Sequence, residues 1–457
     1  MHRSWSMVWV LMMIAGWSLS CESCQEQATS EEESEEVEAE SHVSEPQAEK
    51  KEKVEALEPV EKRSAQNVEQ PMEGWEDAEV EVVGFEEVDT TDCAVGVNAM
   101  GFELWRALEL PANATISPAS ISLALSMLLA GARGETAEEL ASALHLSTGE
   151  AVHHCWAGVL THWEEVGALE GLEFEVANRL FAEQNTAFVR DYFDLTGSLY
   201  RSSVRPMDFR GAAEASRQEI NAWIEDVTRD RIQDLLPPGS VDAQSDLFLV
   251  NAIYLLANWQ QQFDERRTRR ESFRRADGTT TSVQMMNQTA RFPYAEIGGV
   301  QLMELTYEGE ALSMVVVLPA RPDGLTEIEQ ELDAATLERW LNQLQRTEVD
   351  LGMPRFTIDG DTISLVEAFE SLGVRRLFGD ADLSGIVEES VFVNSIYHKA
   401  FVEVDEEGTE AAAATAVGVS RGMPAPNPEF RADRPFLFMI RDRTTEMVLF
   451  LGRVGDP

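Results

Sequence analysis

Between Glu22 and Asp92 the chain carries 25 acidic and 5 basic residues, and this run divides it into parts with different folding prospects. The stretch that opens at Glu31-Glu32-Glu33-Ser34-Glu35-Glu36 is poor in aromatics and shows no sustained apolar period. Such a segment cannot bury enough apolar area to offset its chain entropy, so residues 21–90 read as a disordered acidic tether. A local solvated helix around Glu49-Lys50-Lys51-Glu52-Lys53 is the alternative for part of it. Over all 457 residues the formal charge is −46. That balance argues against nucleic acid as a partner, because phosphate backbones need a basic footprint. It argues equally against a polybasic grip on anionic lipid.

A targeting segment precedes the tether. His2 and Arg3 lead into the apolar stretch Met7 to Ala15, followed by Gly16-Trp17-Ser18-Leu19-Ser20-Cys21. A charged start, a short apolar core and small residues before a break describe a signal peptide over residues 1–20 rather than a membrane span. Ser18-Leu19-Ser20-Cys21 resembles a bacterial lipobox, which implies lipidation of Cys21 and membrane attachment through it. Ser18 stands where that pattern prefers Leu, so ordinary secretion or a longer uncleaved anchor stays open. In each case the chain is expected to be exported, to the cell envelope or beyond it. Four cysteines exclude a disulfide-built scaffold. In an oxidising envelope Cys93 and Cys155 either pair or remain two separate buried thiols.

From Thr91 to Pro457 helical and strand periods alternate without a second linker, which makes residues 91–457 one large α+β body. Apolar residues recur at helical spacing over Asn98 to Leu108. Ser117-Pro118-Ala119-Ser120 is a capping arrangement. The all-round apolar run Ile121 to Gly131 behind it predicts a buried helix. Strands are predicted at Leu247 to Tyr254, Ser313 to Leu318 and Met447 to Leu451.

Enzymatic templates find no match. There is no Gly-x-Ser-x-Gly elbow, no phosphate-binding loop before a Lys, and no His-Glu-x-x-His. His145, His153, His154, Cys155 and His162 lack metal-ligand spacing and read as surface histidines on a helix pair. No cofactor, no metal and no catalytic residue is expected.

One segment does not fit an ordinary soluble domain. Glu406-Glu407-Gly408-Thr409-Glu410-Ala411-Ala412-Ala413-Ala414-Thr415-Ala416-Val417 has the composition of an Ala-rich helix. Yet it follows a strand pattern, Phe401 to Asp405, and precedes the Gly/Pro-rich stretch Gly418 to Pro428. At period two, Thr409, Ala411, Ala413, Thr415 and Val417 share one face, all uncharged and all small or β-branched. Glu410 falls on the other face. That is the pattern a strand needs if it is to slide into a sheet over a packed core.

On these residues the chain resembles a serpin, and the segment resembles the hinge of a serpin reactive-centre loop. Ser117-Pro118-Ala119-Ser120-Ile121 resembles the family's buried helix opening. Asn251-Ala252-Ile253-Tyr254, with Trp259 and Phe263, resembles the central strand and its breach tryptophan. Asn394-Ser395-Ile396-Tyr397-His398-Lys399-Ala400 resembles the approach to the loop. Asp433-Arg434-Pro435-Phe436-Leu437-Phe438 and Phe450-Leu451-Gly452-Arg453-Val454 resemble the C-terminal strands. The resemblance implies a large, mainly antiparallel central sheet with further sheets, some nine helices and an exposed reactive-centre loop. It also implies a monomer that acts as a suicide substrate. A serine protease cleaves the loop and forms an acyl-enzyme, and the freed hinge inserts into the sheet and traps it.

The resemblance assigns roles to residues as well. Glu406 opens the hinge, Gly408 is its pivot, and Thr409 is the first side chain to enter the core. Glu410, Ala411, Ala412, Ala413, Ala414 and Thr415 form the thin entering strand. Ser117, Ser120, Asn251 and His398 match the polar cluster beneath the sheet opening, and Trp259 matches the gate above it. Loop length places the scissile bond at Arg421–Gly422, which suits a trypsin-like pocket, or at Gly422–Met423. The acidic balance removes any expectation of polyanion activation. A non-inhibitory serpin serving as a surface-binding or chaperone-like protein is the alternative, and the uncharged hinge argues for the inhibitor.

Overall fold

Ser117 and Pro118 start the most completely buried helix among the described residues. The Ser117 hydroxyl accepts from the Ser120 amide, and Pro118 occupies the first turn, where its missing N–H costs nothing. The computed structural model describes residues 88–275, 277–388, 391–409 and 426–457. The first third runs α1 (Thr91–Ala107), β1 (Ala114–Ile116), α2 (Pro118–Gly131), α3 (Gly134–Ala143), α4 (Glu150–Gly167), β2 (Leu172–Glu183), α5 (Arg190–Tyr200) and β3 (Ser203–Met207). Next come α6 (Phe209–Val227), β4 (Leu247–Asn258), β5 (Arg269–Arg274), β6 (Thr280–Ile297), β7 (Val300–Thr306) and β8 (Leu312–Pro319). Then follow α7 (Leu325–Glu331), α8 (Ala334–Leu341), β9 (Gln345–Pro354), β10 (Phe356–Asp359), β11 (Ile363–Ser364) and α9 (Val366–Ser371). The last part holds β12 (Tyr397–His398), β13 (Phe401–Val404), β14 (Gly408–Thr409), β15 (Glu429–Arg431), β16 (Phe436–Asp442) and β17 (Val448–Val454).

The predicted helices and strands are present, with shifted ends. α1 begins seven residues before the apolar period that reveals it, because Cys93, Ala94 and Val97 extend its buried face. β4 and β8 extend the two predicted strands by a few residues.

Two bodies of sheet organise the fold. The larger ladder has the order β1-β17-β16-β8-β7-β6-β9-β15, with β5 added on β6. The 18-residue β6 holds it together, pairing β5 at its start, β9 through its middle and β7 at its end. Every residue of β8 and β16 is buried. The smaller assembly is divided. One ladder runs β3-β2-β4-β14 and a separate one pairs β10 with β13. α2 packs under β4, while α6 covers the opposite face through Phe209, Ile220 and Ile224 against Phe181 and Val250. The central sheet is therefore split, and the division lies between β4 and β13.

Candidate functional site

One edge of β4 is paired along Leu247–Ala257 to β2. On its other edge only Ala257 and Asn258 are paired, to Thr409 and Gly408 of β14. From Leu247 to Leu256 that edge carries no strand among the described residues. Beneath its lower half lies a cavity of about 300 Å³ lined by Ser120, Leu125, Leu249, Asn251, Ile396 and His398, among others. Higher up, the segment after α6 bridges the slot. Arg231 lies over the Phe401 ring of β13 at 5.1 Å and pairs with Glu403 at 3.2 Å.

At the upper end the entrance to the slot is held by polar contacts. Trp259 is 1 % exposed, stacks on Tyr307 at 4.5 Å and donates its indole N–H to the Asp405 carbonyl at 3.0 Å. The Trp259 amide donates to the Glu407 carbonyl and the Phe263 amide to that of Glu406. Glu406 is 1 % exposed, and its carboxylate meets the Thr268 hydroxyl and the Arg355 guanidinium. A carboxylate so buried needs both a charge and a donor to be tolerated. The Asp405 carboxylate caps the turn by accepting from the amides of Glu407 and Gly408.

Gly408 is required here by geometry. Its φ of +153° lies outside the range other residues adopt readily, and a Cβ there would stand 2.1 Å from the Ala257 carbonyl oxygen. The expected pivot thus packs directly against the β4 backbone.

At the lower end the structure brings Ser117, Ser120, Asn251 and His398 together. The Ser117 amide donates to His398 Nε2 at 3.0 Å, and the Ser117 hydroxyl donates to the Leu449 carbonyl at 2.6 Å. Burial holds the His398 imidazole down to about 4, so the ring is neutral and its ε nitrogen is free to accept. The Ser120 hydroxyl donates to the Asn251 amide oxygen, and Asn251 Nδ2 donates to Asn178 Oδ1 at 2.7 Å. Asn178 donates in turn to the Tyr200 carbonyl. The Tyr200 hydroxyl lies 2.6 Å from His153 Nδ1, and burial lowers His153 to about 4 as well. These groups tie β4 to α2, β2, α5 and α4.

Asn178, Tyr200, Thr268 and Arg355 escaped sequence reading. Only Asn178 leaves a trace, as a polar residue inside an apolar strand pattern, and it faces Asn251 across one rung of the β2–β4 ladder. The histidine reading needs correction. His153 and His162 are buried on α4 rather than on the surface, 6 % and 8 % exposed, since α4 packs against β2 and α5. His162 Nε2 lies 3.0 Å from an Asp442 carboxylate oxygen, and Cys155 is joined to Cys93 of α1, with Cα atoms 6.4 Å apart. Cys21, Glu410, Ala411, Ala412, Ala413, Ala414, Thr415, Arg421, Gly422 and Met423 lie outside the described residues, as do residues 1–87, which hold the expected signal and nearly all of the expected tether.

Comparison with known proteins agrees with this architecture. The family model "Serpin (serine protease inhibitor)" matches residues 96–457. Serpin B3 of Homo sapiens is 38 % identical over 368 residues, covering 76 % of this chain and 94 % of that protein. Leukocyte elastase inhibitor of Equus caballus is 39 % identical over 369 residues, covering 78 % and 97 %. The crystal structure of uncleaved ovalbumin superposes with a TM-score of 0.72 at 28 % identity, covering 80 % of this chain and all of that one. With the split central sheet and the hinge at its upper end, these matches establish that the chain belongs to the serpin family.

Proposed function

We propose that this protein inhibits a trypsin-like serine protease as a single-use substrate, cut at Arg421–Gly422, and does so outside the cytoplasm. The observation that carries this reading is the unpaired edge of β4 with the hinge already two rungs into it. An open sheet edge is normally blunted or covered. Here it is backed by a cavity and faced by β13, the arrangement of a slot kept for one more strand. The hinge that would fill it, Thr409 to Val417, carries a single charge. Cleavage frees the hinge, insertion fills the edge, and the acyl-enzyme on the cut end is carried across the body before water can release it. The nucleophile belongs to the protease. The exported location rests on residues 1–21, with Cys21 as the attachment point if lipidated. The relative named leukocyte elastase inhibitor supports the general activity.

The test is incubation of the full chain with trypsin, followed by a denaturing gel and intact mass. The expected result is a band that survives denaturant at the summed mass of protease and chain less the released C-terminal fragment, which begins at Gly422. Clean cleavage without that band and without a rise in thermal stability would overturn insertion and favour a non-inhibitory binding role. Cleavage with a large rise in stability and no trapped complex would keep insertion and reject trypsin as a target.

A further inference from the structure

The chain is strongly acidic, yet Arg266, Arg267, Arg269, Arg270, Arg274 and Arg275 fall within ten residues, on β5 and the residues flanking it. All but Arg275 are exposed. The carboxylates around them are largely engaged. Asp264 pairs with Arg266, Glu265 lies near Arg355, Glu271 pairs with Arg431, and Asp456 pairs with Arg275. Among the described residues no carboxylate lies within ion-pair distance of Arg267, Arg269, Arg270 or Arg274. β5 is an edge strand, and its outward rungs set Arg270, Ser272 and Arg274 opposite Gln284, Ser282 and Thr280 of β6, none of them charged. Uncompensated like charges gathered on one edge repel each other and are relieved by an anionic partner.

The position of this edge indicates which partner. Thr268, in the middle of the arginine run, bonds the Glu406 carboxylate at the start of the loop. Glu271 of β5 pairs with Arg431 of β15, on the strand by which the chain returns from the loop. The arginines therefore lie beside the outgoing leg at Glu406, while β15 on the returning leg stands across β9 and β6 from β5 and is reached through the Glu271–Arg431 pair. A protease seated on that segment meets them.

We propose that β5 and its preceding turn are an accessory docking surface for an acidic face of the target protease, selecting among proteases that share one cleavage specificity. This rests on the reading that the loop is attacked by a protease. Steering of this kind raises the association rate and weakens as salt is added.

The experiment compares anionic with cationic trypsin on the full chain and on a variant carrying R267S, R269S, R270S and R274S. A second variant, S282E, places a carboxylate on the facing rung and removes no arginine. The expected result is an association rate with anionic trypsin that falls about tenfold in both variants at low salt, with a flatter salt dependence. The rate with cationic trypsin and the melting temperature stay unchanged. Equal loss for both trypsins, or no loss for either, overturns the proposal. Binding is also read with anionic trypsin whose catalytic serine is replaced by alanine. Patch-dependent binding of this inert enzyme upholds the surface even if no covalent complex forms, and in that case only the inhibitory reading fails. Patch-dependent binding of dextran sulfate without binding of inert anionic trypsin overturns it in favour of a polysaccharide site.

Discussion

β8 and β4 are both inner strands of serpin sheets, and they are completed differently. β8 is paired on both sides, by β7 and β16, and all eight of its residues are buried. β4 is paired fully on one side and at two rungs on the other, and half of its residues are only partly buried. The first arrangement leaves nothing to add. The second leaves backbone donors and acceptors unmatched along a slot, held open by side-chain bonds at its two ends. The contrast teaches that the larger ladder supplies a frame rigid enough for the smaller sheet to remain incomplete.

The frame should be the costlier region to damage. Phe438 of β16 is fully buried, packed so closely that a Cβ on Gly452 would lie 2.4 Å from its ring. Phe438→Ala is expected to lower unfolding free energy by about 4 kcal/mol in urea titration. A loss below about 1 kcal/mol would break the contrast between frame and slot.

Acid should act first on the slot. His398 and His153 are each held at about 4 by burial, against 6.5 in an exposed chain. A lowered histidine value means that the unfolded chain takes up the proton first as pH falls. Stability from each ring is therefore complete above 6.5 and lost between 6.5 and about 4. At pH 5 the loss is on the order of 2 kcal/mol per ring. Urea titrations at pH 7 and pH 5 measure it, and His398→Gln should remove its share. An unchanged pH dependence in that variant would assign the acid sensitivity elsewhere.

The smallest global effect is expected at the slot entrance. Gly408→Ala meets the β4 backbone and should detach β14, at a cost of about 1 kcal/mol. Amide exchange at residues 257–259 should speed up while β8 amides stay protected. Equal protection in variant and parent would show that β14 is not held by this close approach.

What sequence reading recovered was local. The capping pair Ser117 and Pro118 and the apolar runs of β4, β8 and β17 each announce themselves within a dozen residues. What it missed joins distant positions. Asn178 matters because the β2–β4 register sets it opposite Asn251, and Glu406 is tolerated in the interior because Thr268 and Arg355 arrive from the turn before β5 and the junction of β9 with β10. The burial of His153 follows from the docking of α4 and α5, which a helical period alone does not reveal. Net charge misled as well. A total of −46 hides the arginines of β5, because an average is blind to clustering.

Two rungs of β14 are enough to set a register. Gly408 faces Asn258 and Thr409 faces Ala257, antiparallel. A strand extended without slippage places Ala411 opposite Leu255, Ala413 opposite Ile253, Thr415 opposite Asn251 and Val417 opposite Leu249. Residues opposite one another share a face. Leu255 and Ile253 belong to the main core with α2, while Val250 belongs to the cluster under α6. In such an inserted strand the uncharged row would face the main core, Thr415 would reach the Asn251–Ser120 bond, and Glu410 would fall on the other side. At 3.4 Å per residue, Arg421 would come to rest roughly 40 Å from the Thr409 rung. Under the proposed insertion, the starting register would set both the fit of the entering strand and how far its cut end is carried.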